Sequence, residues 1–250
     1  MNNPIKLPKR IVNGILIIDK PKGLSSNIAL QKVKRIFNAK KAGHTGSLDP
    51  LATGVLPICF GTSTKLSQSL LDSDKKYVVT CKLGMMTTTG DAEGEIINPV
   101  DLKEFTNISD NILRDIINSF LGEQEQVPSM YSAIKHNGTP LYKLARQGIE
   151  VPRKSRIIKI YSIENINIKR IDNVLDTIDL TISCSKGTYI RTLIEDMGKK
   201  IGCGAYVSDL RRIAAGPYAF DNTNIMTIPD LERLAQNNSL DYSQFDQLLY

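Results

Sequence analysis

The chain has 250 residues, with a hydrophobic content of 41% and a charged content of 23%, proportions typical of a globular protein with a core of its own. No apolar run approaches the roughly 20 residues that a membrane-spanning helix needs. The apolar stretch 14–18 behind the basic N-terminus is too short for the core of a signal peptide. These features predict a cytoplasmic protein that does not bind membranes.

Positive charge is concentrated in two parts of the chain. The net charge is +6, and residues 1–41 contain ten Lys or Arg but one acid. Residues 135–170 contain nine bases and two acids, whereas residues 219–250 contain one base and five acids. Two basic blocks predict a face that binds a polyanion, but a solvated basic surface fits the charge equally well. Composition alone does not identify RNA as the partner.

Cysteine and histidine content argues against a metal centre. No two of the four cysteines have Cys-x-x-Cys spacing, and all lie among apolar or small residues, so buried free thiols are expected. Only two histidines, His44 and His136, could supplement them. We therefore expect no bound metal.

Hydrophobic periodicity and turn signals predict alternating strands and helices in one mixed α/β domain. A capping serine, Ser25 or Ser26, precedes the first helix. The predicted strands are 14–19, 55–60, 76–83, 156–168, 174–183 and 205–213. The predicted helices are 27–37, 63–71, 110–121, 140–146, one that begins near Tyr189, and one within 229–249.

One loop, residues 42–54, is the centre of the functional hypothesis. It contains a single carboxylate, Asp49, together with His44, and it leads into an apolar strand. Glycines and a proline restrict its backbone, and a constrained loop on a buried strand can hold one acid in a fixed place. The alternative is an ordinary Asp-Pro turn in which the carboxylate bonds its own backbone.

The residues around Asp49 read Gly-His-Thr-Gly-Ser-Leu-Asp-Pro-Leu-Ala-Thr-Gly-Val-Leu, and this string closely resembles the catalytic signature of the TruB family of tRNA pseudouridine synthases. Four further blocks resemble the same family in the same order. They are Lys-Lys-Tyr-Val at 75–78, Gln-Val-Pro-Ser-Met-Tyr-Ser-Ala-Ile-Lys at 126–135, Ser-Lys-Gly-Thr-Tyr-Ile-Arg at 185–191, and Asp-Leu-Arg-Arg at 209–212. The segment Lys-Pro-Lys-Gly-Leu-Ser-Ser at 20–26 is similar to the family's first motif, whose role is mainly structural.

The resemblance implies an α/β (α+β) pseudouridine synthase fold, a mixed and mostly antiparallel sheet flanked by helices and loops. The expected catalytic domain is 14–217. A flexible basic arm, 1–13, would precede it. An acidic helical tail, 218–250, would follow it in place of a complete PUA domain.

The resemblance also implies site residues. Asp49 would be the catalytic carboxylate, Tyr77 would stack on the target uracil and is a candidate base for the C5 proton, and Arg191 would pair with Asp49. The implied substrate-binding residues are His44, Tyr189, Leu210 and Lys20, with no chemistry assigned to Lys20. The predicted phosphate contacts are Arg146, Arg153 and Arg211.

The implied reaction converts the T-loop uridine of tRNA, conventional position 55, to pseudouridine. It breaks the N1–C1′ bond, rotates the flipped base and joins C1′ to C5, with no net redox change and no hydrolysis, so no cofactor is expected. The expected partner is the tRNA T-arm, with no obligatory protein partner, and the expected state is a monomer. The alternative is a tRNA-folding factor in which catalysis is secondary. A third reading, the RNA-guided relative, is disfavoured by the short chain.

Overall fold

The structure is a computed structural model and describes residues 8–237 and 242–250. Its strands are β1 (Gly14–Lys20), β2 (Ala42–His44), β3 (Thr53–Phe60), β4 (Lys75–Leu83), β5 (Met86–Thr87), β6 (Ile96–Ile97), β7 (Gly122–Gln126), β8 (Lys135–His136), β9 (Thr139–Pro140), β10 (Arg156–Ile171), β11 (Val174–Cys184), β12 (Ala205–Ala215), β13 (Tyr218–Ala219) and β14 (Met226–Thr227). Its helices are α1 (Ser26–Ile36), α2 (Ser67–Leu71), α3 (Asp110–Asn118), α4 (Leu141–Ala145), α5 (Ile190–Ile201), α6 (Ile228–Asn237) and α7 (Ser243–Asp246).

The described chain divides into two compact units. The first contains the residues up to Ser73 and those from Arg212 onward, and the second is Asp74–Arg211. Strand β12 therefore contributes residues to both units. The predicted catalytic domain, 14–217, has the boundaries of neither unit. No helix in the two described ranges is both long and apolar enough to cross a membrane.

The first unit is built on a sheet with β1 near its centre. Strand β1 pairs antiparallel with β3 and parallel with β14, and β2 pairs antiparallel with β3. The run Leu16–Ile18 is buried on both faces of β1, which explains why the sequence there is continuously apolar. Helix α1 begins at the N-cap Ser25, whose side chain accepts from the Ile28 N–H.

The second unit contains an antiparallel sheet in the order β4–β11–β10–β7. Along β4, burial alternates through Tyr77, Val79, Cys81 and Leu83, the period expected of a strand with one face on a core. Helix α5 buries Leu193, Ile194 and Met197 and ends at Gly202 in the left-handed conformation, φ +100°. The predicted mixed α/β fold, a mixed sheet flanked by helices, is confirmed.

The structure describes parts of both predicted terminal segments. Residues 8–13 belong to the predicted flexible arm, but Val12 is buried, and Arg10 pairs with Asp246 at 2.6 Å and lies 4.1 Å from the ring centre of Tyr242. Residues 1–7 lie outside the described residues. The predicted helical tail also contains β14, which pairs with β1, and residues 238–241 of it lie outside the described ranges. Tail residues thus complete the first unit.

Candidate active site

Asp49 lies in an irregular loop of the first unit, between β2 and β3. Its side chain is half-buried, and its backbone carbonyl accepts from the Ala52 N–H at 3.1 Å. Gly46, three residues earlier, has φ +68°, a conformation that other residues adopt at a cost. The sequence therefore forms a turn here, and hydrogen bonds from outside the loop determine where Asp49 lies.

The residue before Asp49 is held by Ser26 of α1. The Leu48 N–H donates to Ser26 Oγ at 2.7 Å, and the hydroxyl donates back to the Leu48 carbonyl at 3.1 Å. Both polar groups of Leu48 are thereby satisfied by one buried side chain. The two serines of the 20–26 motif thus have different roles, since Ser25 caps the helix and Ser26 fixes the loop.

The residue after Asp49 is held by Lys20. The ammonium group of this fully buried side chain donates to the carbonyl oxygens of Leu24 at 2.6 Å, Pro21 at 2.9 Å and Pro50 at 3.4 Å. The Pro50 carbonyl also accepts from the Gly23 N–H at 2.8 Å. The geometry favours a role for Lys20 in holding the loop over the predicted contact with substrate.

A second buried cation, Arg212, supports the same loop from β12. Its Nε donates to the Val55 carbonyl at 2.8 Å and its Nη2 to the Gly46 carbonyl at 2.9 Å. The backbones approach so closely that a Cβ on Gly54 would lie 2.1 Å from the Arg212 carbonyl oxygen. The planar guanidinium suits this task, because its donors point in fixed, different directions.

His44 lies on β2, directly opposite Ile58. Its Nδ1 is buried and makes no hydrogen bond within the part of the chain that the structure describes. Burial, followed by the nearby positive charge of Arg212, lowers the pKa of His44 below its usual 6.5. The imidazole is therefore neutral at pH 7, and its predicted place in the tRNA-inserting loop stays a prediction.

The second unit carries the remaining predicted site residues. Tyr77 lies on β4 opposite Ile182, and Leu210 lies on β12; both side chains are buried. Arg191 is the second residue of α5, where its Nη1 donates to the Thr89 carbonyl at 2.7 Å. Tyr189 immediately precedes α5 as its N-cap residue.

A buried carboxylate that the sequence analysis missed lies beside Arg191. Asp91 Oδ2 is 3.4 Å from Arg191 Nη1, and the other oxygen, Oδ1, accepts from Thr89 Oγ1 at 2.6 Å and from the Glu93 N–H at 3.0 Å. A second Arg191 nitrogen, Nη2, donates to the Tyr131 carbonyl at 2.9 Å. In the sequence, Asp91 lies among polar residues and glycines without a distinguishing pattern, so only the fold reveals this pair. The predicted pairing of Arg191 with Asp49 stays a prediction.

Comparison with known proteins identifies the family. Residues 34–190 match the model of the TruB family pseudouridylate synthase N-terminal domain, and residues 191–250 match that of the tRNA pseudouridylate synthase B C-terminal domain. The chain belongs to the TruB family of pseudouridylate synthases. Two similar relatives are both named tRNA pseudouridine synthase B. The protein from Colwellia psychrerythraea is 53% identical over 93% of this chain and 70% of its own length, and that from Idiomarina loihiensis is 51% identical over 96% and 73%.

Solved structures of related proteins agree with this membership. A chain in the crystal structure of a Cbf5–Nop10–Gar1 complex has a TM-score of 0.70 and 28% identity, with 100% of this chain and 66% of that chain covered. A chain in the structure of an H/ACA RNP bound to a substrate RNA containing 2′-deoxyuridine has a TM-score of 0.66 and 26% identity, with 96% and 59% covered. The present chain therefore spans about two thirds of the first structural relative and about three fifths of the second.

In this TruB family member, the three predicted phosphate contacts differ in accessibility. Arg146 is exposed beside the ring of Tyr142, at 5.6 Å. Arg153 is engaged with the Pro128 carbonyl at 3.1 Å and with a carboxylate, Glu150, at 2.8 Å. Arg211 is half-buried on the face of β12 opposite Arg212. Arg212, in contrast, is fully buried.

The structure also shows a basic groove of about 740 Å³ in the second unit. Its basic and histidine side chains are Lys135, His136, Arg153, Lys154 and Arg156, and the rest of its lining is mostly apolar, with Pro128, Ile134, Leu141 and Pro152. The basic and histidine residues come from the second basic block of the sequence, and they are drawn to one place because β8, β9 and β10 follow one another closely. Such a groove can attract a phosphate backbone. In the described ranges, no group of three or more His, Cys, Asp or Glu side chains could hold a metal ion.

Proposed function

We propose that this chain isomerises the T-loop uridine of tRNA, conventional position 55, to pseudouridine. Family membership and the names of the relatives support a tRNA substrate. The observation that carries the proposal is the fixation of Asp49 from both sides, through Leu48 by Ser26 and through Pro50 by Lys20. A single carboxylate on so constrained a loop suits a reaction that needs one acid in a fixed place.

Asp49 is the proposed catalytic residue. Its carboxylate must act and then leave, because the uridine is rearranged without any atom being lost to water. Three routes stay open: attack on C1′, addition to C6 of the uracil, and removal of a ribose proton to form a glycal. Each requires the ionised form. The guanidinium of Arg191 would favour that form through the predicted pairing, since a nearby positive charge lowers the pKa of a carboxyl group.

Tyr77 is proposed to hold the flipped uracil and to receive a proton. After the rotated base joins C1′ through C5, that carbon still carries its original hydrogen. A base must remove this proton to restore the aromatic ring, and a phenolic oxygen that lies against the base can do so. Tyr189 and Leu210 would form the walls of the pocket. His44, neutral at pH 7, would enter the tRNA where the target base leaves its stack.

Binding of the tRNA backbone is assigned to the basic groove of the second unit, to the exposed Arg146, and to Arg153 and Arg211. Because phosphate neutralisation releases counterions, we expect the tRNA affinity to fall steeply as salt increases. The proposal includes a monomeric, cytoplasmic enzyme that needs no protein partner and no cofactor.

The direct test measures tritium released from tRNA transcript labelled with 5-³H-uridine. The unmodified chain should release tritium, and Asp49→Asn should reduce the rate by at least about 10³-fold while tRNA binding is kept. Asp221→Asn is the matched control, since this carboxylate is exposed in the same unit. Substantial turnover by Asp49→Asn would remove Asp49 from the mechanism. If the unmodified chain binds tRNA but releases no tritium, the enzyme proposal fails in favour of a tRNA-folding factor.

A further inference from the structure

Two residues that face each other across β7 and β10 both contact Tyr189. Gln126 is the last residue of β7, Arg156 is the first residue of β10, and the two are direct partners in the antiparallel register. Directly opposed residues in such a pair project to the same face of the sheet. Here that face meets the residue at which α5 begins.

Gln126 binds the backbone of Tyr189 through both ends of its amide. Its Oε1 accepts from the Tyr189 N–H at 2.8 Å, and its Nε2 donates to the Tyr189 carbonyl at 3.0 Å. The same carbonyl accepts the first helical hydrogen bond of α5, from the Leu193 N–H at 3.1 Å. The side chain of Tyr189 makes no capping bond, so the buried amide of Gln126 fixes the start of the helix instead.

Arg156 contacts the ring of the same residue. Its guanidinium carbon lies 4.8 Å from the centre of the Tyr189 ring, within the range of a cation–π contact. Gly187 leaves room for it, since a Cβ there would lie 3.1 Å from Arg156 Nη1. The second terminal nitrogen, Nη2, is buried without a hydrogen bond among the described residues. Stacking on the ring is therefore a principal contact of this guanidinium.

We propose that Gln126 and Arg156 are positioning residues for Tyr189 and, through the first turn of α5, for Arg191. This inference rests on the proposed function, in which Tyr189 and Arg191 belong to the site that isomerises uridine. Gln126 fixes where the backbone of α5 starts, and Arg156 fixes the orientation of the Tyr189 ring. Gln126 need not touch the substrate to affect the rate, and the effect of Arg156 on the Tyr189 ring is separate from any phosphate contact that Arg156 makes as part of the basic groove.

The first experiment compares Gln126→Ala and Gln126→Glu with the unmodified chain in single-turnover tritium release. We expect the rate to fall about 10- to 100-fold, because small displacements of site residues have effects of this size. The dissociation constant for tRNA should change by less than about threefold, because no phosphate contact is lost. Glutamate should not restore the rate, since it cannot donate to the Tyr189 carbonyl.

Gln124→Ala is the matched control. Gln124 lies two residues earlier on the same strand, and its Nε2 donates to the Phe120 carbonyl at 2.6 Å rather than to Tyr189. Its removal should leave the single-turnover rate unchanged. Equal rates for Gln126→Ala and the unmodified chain would overturn the inference. So would a loss explained entirely by a smaller folded fraction or by weaker tRNA binding.

The contribution of Arg156 is separated from phosphate binding by a double-mutant cycle. Arg156→Met should lower the rate in the unmodified chain by about tenfold and should have no further effect in a Tyr189→Leu background. An equal effect in both backgrounds, or an effect only on tRNA affinity and its salt dependence, would overturn the role assigned to Arg156. Tritium release by the unmodified chain is measured in parallel. If the unmodified chain releases tritium and the Gln126 and Arg156 variants release it at the same rate, this inference fails and the proposed function stands.

Discussion

Arg191 and Asp91 form a buried ion pair in the second unit, with Arg191 Nη1 and Asp91 Oδ2 3.4 Å apart and side chains 6% and 3% exposed. The guanidinium also donates hydrogen bonds to the carbonyls of Thr89 and Tyr131. Three contacts within the second unit therefore help to orient the Arg191 side chain. Such a pair adds little net stability by itself, but loss of one member leaves the other charge buried and uncompensated.

Asp91→Asn should consequently lower the free energy of unfolding by roughly 3 to 5 kcal/mol, the usual cost of removing one member of a buried pair. Chemical denaturation measures the change. Asp196→Asn is the control, because Asp196 pairs with Lys199 at 3.2 Å on the surface, where a loss below about 1 kcal/mol is expected. Equal costs for the two variants would show that the Arg191–Asp91 pair is not behaving as a buried one.

Arg212→Lys should destabilise the first unit and slow turnover. An ammonium group cannot reproduce the two directed bonds that Arg212 makes to Val55 and Gly46, so a cost of about 1 to 3 kcal/mol is expected from the carbonyl that is left unpaired. The loop of Asp49 would lose one of its supports. Arg211→Lys, at the half-buried neighbour, should change the free energy of unfolding by less than about 0.5 kcal/mol. A larger loss of unfolding free energy in Arg211→Lys than in Arg212→Lys would contradict the supporting role of Arg212.

Gly54→Ala and Gly138→Ala separate a backbone penalty from a steric clash. Both glycines have positive φ, +107° and +82°, so each substitution should carry a left-handed penalty of about 1 to 2 kcal/mol. At Gly138 a Cβ meets nothing within 4 Å, whereas at Gly54 it meets the Arg212 carbonyl at 2.1 Å. We expect Gly54→Ala to cost at least about 2 kcal/mol more than Gly138→Ala. Thermal and chemical unfolding of both variants measure the difference. Similar costs would show that the Arg212 carbonyl does not lie as close to Gly54 as the structure indicates.

The lowered pKa of His44 predicts that the stability of the folded chain depends on pH. Because its pKa is lower in the folded chain than the ordinary 6.5, the unfolded chain binds more protons as the pH falls through 6.5 toward the folded pKa. The free energy of unfolding should therefore decrease over that window and should be insensitive to His44 at higher pH. In His44→Gln the decrease should be smaller. Denaturation from about pH 8 to pH 5 measures it; an identical profile in both proteins would show that His44 is not a desolvated, neutral group.

The local elements could be predicted because their signals are local. The apolar run at 14–18 and the alternation along 76–83 predict β1 and β4, and Ser25 marks the start of α1. The residues His136-Asn137-Gly138 are typical of a tight turn, and the structure places them between β8 and β9. The helix expected over 63–71 is a 3-10 segment followed by the short α2. No side chain makes a capping hydrogen bond at the start of either segment.

The supporting residues could not be predicted in the same way. Lys20 and Arg212 look like surface cations in the sequence, and Asp91 and Gln126 look like polar loop or edge residues. Each is buried and has at least one partner from a distant part of the sequence, as Arg212 has in the carbonyls of Gly46 and Val55. A charged side chain is buried only where hydrogen-bonding or oppositely charged partners surround it. The local sequence pattern does not show which distant groups will become those partners.

The sequence by itself determined the family and made Asp49 the candidate catalytic carboxylate, because several long motifs occur in a fixed order. It also determined the mixed α/β class, since strand and helix periods are properties of short segments. Only the tertiary structure decided which polar residues hold the site. Lys20, Ser26 and Arg212 fix the loop of Asp49, and Gln126 fixes the start of α5. These bonds join residues 22 to 166 positions apart, so they exist only once the chain has folded.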